Sequence, residues 1–262
     1  MFRNLKPLPI ALMLVLLCLC SSMQASAQKT YIVCVGLNEN RDNVDPLPCS
    51  RADMRSIAHY FHSYNGSEVF MLLDANATRD HILKVLKKQF AKSTANDEII
   101  FAYSGHGFDG GVSTYNNNEV VYCSEIQQIM HKAKARRKMM FIMSCHSGSF
   151  TKKYNNTRDK RRSYNKKSNV LLFLSSQSNE YSWENSMMEN SYFYHFLMKA
   201  LEGAADRNND NKVTARELFN YVAPNVEESS GFKQHPVMWG HFADDMVIVD
   251  LNNFNRSSYL TK

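Results

Sequence analysis

From residue 31 onward, apolar stretches of strand length alternate with stretches of helical pattern. Strands fall at 31–36, 68–73, 98–104 and 138–144, with helices at about 50–62, 78–92 and 124–135. Further on, Val170 to Ser175 reads as a fifth strand, 190–202 and about 215–227 as helices, and Met246 to Leu251 as a sixth strand. Strands separated by helices of this length predict an α/β fold, a doubly wound and mostly parallel central sheet of about six strands. Two runs, Ile99-Ile100-Phe101-Ala102-Tyr103 and Met139-Met140-Phe141-Ile142-Met143, are apolar at every position instead of alternating. They read as central strands covered on both faces. No internal repeat is visible. Asp97-Glu98 fits the lead into a strand, and Ala77-Thr78 ahead of Arg79-Asp80 fits a helix cap.

Each of those two central strands runs into a glycine-flanked reactive residue. One ends in Tyr103-Ser104-Gly105-His106-Gly107 and the other in Ser144-Cys145-His146-Ser147-Gly148. In open parallel sheets ligands bind beyond the carboxyl ends of the strands, so adjacent strands would bring His106 and Cys145 together there. Glycine lets the backbone turn sharply and a substrate come close. A thiol attacks only as the thiolate and needs a base beside it, which makes Cys145 the candidate nucleophile and His106 the candidate base. The same imidazole would then protonate the leaving amine. The backbone N–H groups of Gly107 and Cys145 are candidates for holding the oxyanion. His146 and Ser147 follow Cys145 directly, and neighbours in a tight turn point apart, so they read as supports. A zinc site built from His106, Cys145 and His146 would call for a Cys-x-x-Cys or His-x-x-x-His pair, and none accompanies them.

This pair of motifs, in this order and on these strands, resembles the caspase-like cysteine peptidases, most closely their bacterial and metacaspase-type members. The strand Tyr31 to Gly36 and the segments Gln177 to Glu184 and Gln234-His235-Pro236 are also similar to that family, which extends the resemblance over nearly all of the chain after residue 28. The resemblance implies a three-layer sandwich, a His106–Cys145 dyad and a peptide or protein substrate, with no cofactor required for the chemistry. One position departs from it. Metacaspases carry an aspartate two residues before the nucleophile, where it helps to bind a basic P1 side chain, and this chain has Met143. Glu180 or Glu184, in the loop after the fifth strand, could supply the missing acid. Arginines that would frame an acidic P1 side chain are not evident.

The first residues read as a signal peptide: Arg3 and Lys6, an apolar stretch from Ile10 to Leu19, then Ala25-Ser26-Ala27 as a cleavage site. Residues 28–262 would form one peptidase domain, periplasmic or secreted. The apolar stretch is too short for a confident membrane span. Loss of Arg3 and Lys6 lowers the formal charge from +6 to +4, which is no argument for nucleic acid. Cys34, Cys49, Cys123 and Cys145 remain in the mature chain, at spacings that match no disulfide framework, and free thiols are expected. Nothing in the pattern chooses between monomer and dimer.

Two loops flank the site. Residues 151–168 hold eight Lys or Arg side chains and almost nothing apolar, the composition of an exposed connection and, by the resemblance, a place for self-processing. Residues 108–118, with Gly110, Gly111 and three asparagines, read as a second mobile loop. Separately, Asp206, Asn208, Asp210, Lys212 (through its carbonyl) and Glu217 match positions 1, 3, 5, 7 and 12 of an EF-hand loop, with Asn211 where glycine is usual. Calcium there would be structural. The reading is therefore an exported cysteine endopeptidase. A catalytically silent caspase-like binding protein is the first alternative, and a calcium-responsive interaction module the second.

Overall fold

The computed structural model describes residues 28–42, 45–116, 118–151, 170–240 and 242–260. The expected signal segment 1–27 and nearly all of the basic stretch 151–168 lie outside them. The architecture is a six-stranded sheet between two helical layers. Its strands are β1 (Thr30–Gly36), β2 (Ser67–Leu73), β3 (Glu98–Ser104), β7 (Arg137–Met143), β8 (Leu171–Leu174) and β12 (Val237–Trp239), in the spatial order β12-β8-β7-β3-β1-β2. All neighbours are parallel except β12, which runs antiparallel to β8.

The unbroken apolar runs have a direct physical cause, because each strand feeds two cores. Ile32, Cys34, Ile100, Ala102, Phe141, Met143 and Phe173 face one side with helices α1 (Ser50–His62), α4 (Tyr192–Lys199) and α5 (Ala215–Ser229). Val33, Val35, Phe101, Tyr103, Met140, Ile142 and Leu172 face the other, with α2 (Arg79–Phe90) and α3 (Cys123–Lys132). A polar residue at any of these sites would lose its water without a partner.

Register decides where the strands end. Gly36 pairs with Ser104, and Ser104 pairs with Met143, so β1, β3 and β7 finish in one row. Everything that follows them in sequence emerges on the same edge of the sheet.

Three expectations differ from what is observed. The strand at Met246–Leu251 forms as β13 (Val247–Asp250), but it pairs antiparallel with β11 (Lys212–Thr214) in a separate ribbon. The free edge of β8 is already taken by β12, so the sixth strand of the sheet is 237–239. The mobile loop expected at 108–118 is largely a small antiparallel sheet, β4 (Gly107–Phe108), β5 (Gly111–Ser113) and β6 (Val120–Tyr122). Gly110 at φ 78° makes its turn, and buried Val112 and Val121 tie it to the core. Thr78 does occupy the N-cap of α2, but its hydroxyl makes no capping bond. Among the described residues no helix is long and apolar enough to cross a membrane.

Candidate active site

His106 and Cys145 each lie two residues beyond a paired strand end. Gly105 N–H donates to the Met143 carbonyl at 3.1 Å, which extends the ladder toward the site. Gly107 then packs closely on the Ser144-Cys145 turn. A Cβ there would overlap the Cys145 carbonyl oxygen and stand 2.6 Å from Ser144 Oγ, so only glycine lets the turn after His106 pack this closely on the Ser144-Cys145 turn. His106 Nε2 donates to the Asp45 carbonyl at 2.7 Å. A carbonyl can only accept, so the proton of the neutral ring sits on Nε2 and Nδ1 keeps the lone pair. Nδ1 is therefore the basic nitrogen, as a thiol proton acceptor must be.

Cys145 is half-buried, and burial pushes its thiol up from the ordinary value, with the Asp45 and Glu184 charges adding to the effect. Two backbone N–H groups, those of Ser182 and of Cys145 itself, face the sulfur and favour the thiolate. Among the described residues all four cysteines are free. Cys34 and Cys123 are fully buried, and their thiols are raised still further by desolvation. They are packing residues.

Past Cys145 the chain makes a strained turn with His146 at φ 58°. Its N–H donates to the Glu180 carbonyl (2.8 Å), its Nδ1 lies 3.2 Å from the Ser178 carbonyl, and its ring lies against Tyr181. Buried Ser147 bonds back to Ser175 and Ser176, so both residues support the turn. Gly148 is pressed on the 177–178 backbone, where a Cβ would lie 2.6 Å from Ser178 N.

The loop 177–184 is held from the far side. Buried Gln234 accepts from Trp183 N–H (2.8 Å) and donates to the Ser175 carbonyl (2.9 Å). Glu180 pairs with His235 Nδ1 at 2.7 Å and also accepts from His235 N–H and Gln177 N–H. Its carboxylate thereby braces the loop against the 234–236 segment.

Glu184 is different. Its Oε2 accepts a long 3.4 Å bond from Cys49 N–H, and its buried Oε1 has no hydrogen-bond partner. Burial, then the charge of Asp53, push its carboxyl up to about 7, while Cys49 N–H and the nearby Ser50 hydroxyl pull the other way. Met143 lies in the core at 3% exposure, and no side chain there can serve a charged ligand.

Asp53, fully buried on α1, accepts from Ser104 Oγ (2.7 Å), Ser191 Oγ (2.8 Å), Ser191 N–H (2.9 Å) and Asn190 Nδ2 (3.0 Å). It joins α1, the end of β3 and the hairpin of β9 (Glu184–Asn185) with β10 (Asn190–Ser191). Asp53 and Asp45 were not among the residues singled out from sequence. An acid on the helix face that carries Met54, Ile57 and Phe61 is a signal for the first, and an Asp-Pro turn for the second.

Comparison with known proteins agrees with this geometry. The caspase domain of the peptidase C14 family matches residues 31–247. The chain belongs to the caspase-domain family. A crystal structure of protein GSU0716 from Geobacter sulfurreducens has the same fold, with a TM-score of 0.62 at 17% identity over 82% of this chain and 95% of that one. No curated protein matches the chain.

In this caspase domain the 206–217 loop includes β11, which pairs with β13. Asp206 accepts from the N–H groups of Asp210 and Asn211, and Asn209 and Asn211 have positive φ. Glu217 is turned into a capping box with Thr214, accepting from its N–H at 3.0 Å and its hydroxyl at 2.7 Å. Asn208 bonds to Asp210, and Lys212 N–H donates to Asp210 Oδ1. Among the described residues no group of three or more His, Cys, Asp or Glu side chains could hold a metal ion.

Burial raises the Asp53 carboxyl from 3.8 to about 6, although its four donors lower it in part. A carboxyl raised on folding contributes stability that is fully present below its unfolded value and lost as pH rises through its folded one. Asp53 should therefore cost the native state roughly 3 kcal/mol between about pH 4 and 6. Urea unfolding of Asp53→Asn against pH should lack that component, and an identical pH profile in the two proteins would remove it.

Proposed function

We propose that this caspase domain is an exported cysteine endopeptidase that cleaves after basic residues. The observation that supports the catalytic part is the approach of Gly107 to the Ser144-Cys145 backbone, which packs the turns that follow two paired strands against each other. His106 Nδ1 takes the thiol proton as Cys145 Sγ attacks the scissile carbonyl carbon. The oxyanion forms against the Cys145 and Gly107 N–H groups. Collapse breaks the C–N bond, and His106 returns the proton to the departing amine. A thioester remains on Cys145. Water then attacks it, losing a proton to His106, and the thiol is restored with release of the acid.

The P1 reading rests on Glu184. The Glu184 carboxylate lies close enough to Cys145 for its charge to raise the thiol, one of its oxygens is left without a hydrogen bond, and the charge of Asp53 adds to the negative field around it. A cationic P1 side chain would give that oxygen the charged donor it lacks. Export rests on Arg3, Lys6 and Ala25-Ser26-Ala27, and self-processing on the Lys and Arg residues of 151–168.

Three outcomes follow. Cys145→Ala should abolish peptidase turnover and His106→Ala reduce it by orders of magnitude with the fold intact, whereas a binding protein would show no turnover to lose. The ratio of kcat/KM for P1 arginine over P1 citrulline isolates the pocket charge from the dyad. It should be on the order of 10- to 100-fold at pH 8 and fall as pH drops through about 7, where Glu184 takes up its proton. Glu184→Gln should make the ratio small and independent of pH, and a ratio unmoved by the substitution would assign P1 recognition elsewhere. Calcium at 206–217, supported by the Asp206 and Asp210 turns, should raise the melting temperature in wild type and not in Asp206→Ala. Equal melting with calcium and with chelator would dismiss it.

A further inference from the structure

A cleft of about 320 Å³ opens beside His106, and no residue of the 177–184 loop lines it. Its walls include Leu37, Asn38, Glu39, Asp45, His106 and Phe108, and none of Cys145, Ser182 or Glu184 lines it. In the proposed reaction the acyl part of the substrate stays on Cys145, next to Ser182 and Glu184. The amine leaves past His106, which protonates it. The cleft therefore lies where the residue after the scissile bond must sit.

Its chemistry is lopsided. Leu37 and the half-exposed ring of Phe108 give an apolar floor. The neutral polar groups are engaged within the protein: Ser113 Oγ donates to the His106 carbonyl, Thr114 Oγ1 to the Asn116 carbonyl, and Asn38 Nδ2 to the Pro48 carbonyl. Two carboxylates remain. Asp45 is exposed and close enough to add to the rise of the Cys145 thiol, and Glu39 is 55% exposed. The nearby cation, Arg51, is committed to Asp74 at 2.9 Å and stands 3.9 Å from Glu39. Asp74 also accepts from the N–H groups of Asn38 and Glu39, which fixes this wall in advance. An apolar floor edged by acids suits a side chain with an aliphatic stem and a cationic head.

We propose that this cleft is a leaving-group-side subsite that takes Lys or Arg, so that the enzyme cuts between two consecutive basic residues. The inference rests on the peptidase reading above and adds a second specificity element to it. The chain itself carries such pairs, Lys152-Lys153, Lys160-Arg161, Arg161-Arg162 and Lys166-Lys167, next to basic residues followed by other types, such as Arg158-Asp159 and Lys153-Tyr154. Self-processing should fall inside the pairs.

Two kinds of substrate separate the subsite from the dyad. A peptidyl-arginine coumarin amide has no residue after the scissile bond, whereas internally quenched peptides can carry Lys, Gln or Glu there. Wild type should prefer Lys over Glu by about tenfold or more, since like charges facing each other are penalised. Glu39→Lys should lower that preference severalfold, with Asp45 left as the one acid facing the substrate, and leave the P1 arginine-over-citrulline ratio as in wild type. Mass spectrometry of wild type should find new termini within the basic pairs. A flat ranking, or one unaltered by Glu39→Lys, with the coumarin amide still turned over, would overturn the subsite alone. Turnover of neither substrate would overturn the peptidase reading and the subsite with it.

Discussion

The parallel, in-register pairing of β3 with β7 is the constraint on which the rest of this molecule depends. Seven residue pairs from Glu98–Arg137 to Ser104–Met143 bring the two strands to the same edge. A slip of one residue would turn every side chain to the opposite face and exchange the two cores. With both faces buried, that slip is strongly disfavoured. The same burial that stabilises the sheet thus fixes where the turns carrying His106 and Cys145 begin.

Around that edge, polar side chains act as fasteners. Asp53 ties the start of α1 to Ser104 and to the 190–191 strand, Gln234 ties Trp183 to Ser175, and Glu180 ties His235 to the 177–184 loop. Each is a buried or half-buried group with its hydrogen bonds largely made, so removing one partner leaves others unpaired. Glu184 stands out because one of its oxygens is left without a bond. A buried oxygen left so costs stability. The segment before the antiparallel edge strand β12 holds the 177–184 loop, whose Glu180 carbonyl accepts from the N–H next to Cys145.

Much of this was legible from sequence, because periodicity and strand ends are local signals. The apolar runs at 99–103 and 139–143 announce doubly covered strands, and the glycines around His106 and Cys145 announce turns at their ends. Partnership between distant segments is not local. Nothing within Glu180-Tyr181-Ser182-Trp183-Glu184 says that the first acid pairs with His235 while the last turns toward Cys49 and Asp53. The β13 strand shows its own apolar pattern but not that β11 pairs with it. Asp45 contributes its backbone carbonyl to His106, and a main-chain acceptor carries no side-chain signature at all.

That Cys145 is the nucleophile of a dyad set at the end of this strand pair can be checked by treating the protein with a peptidyl-arginine acyloxymethyl ketone and mapping the adduct by mass spectrometry. A single stoichiometric thioether on Cys145 is expected, formed much more slowly in His106→Ala. A protein left unmodified, or one modified at Cys49 with Cys145 untouched, would contradict it.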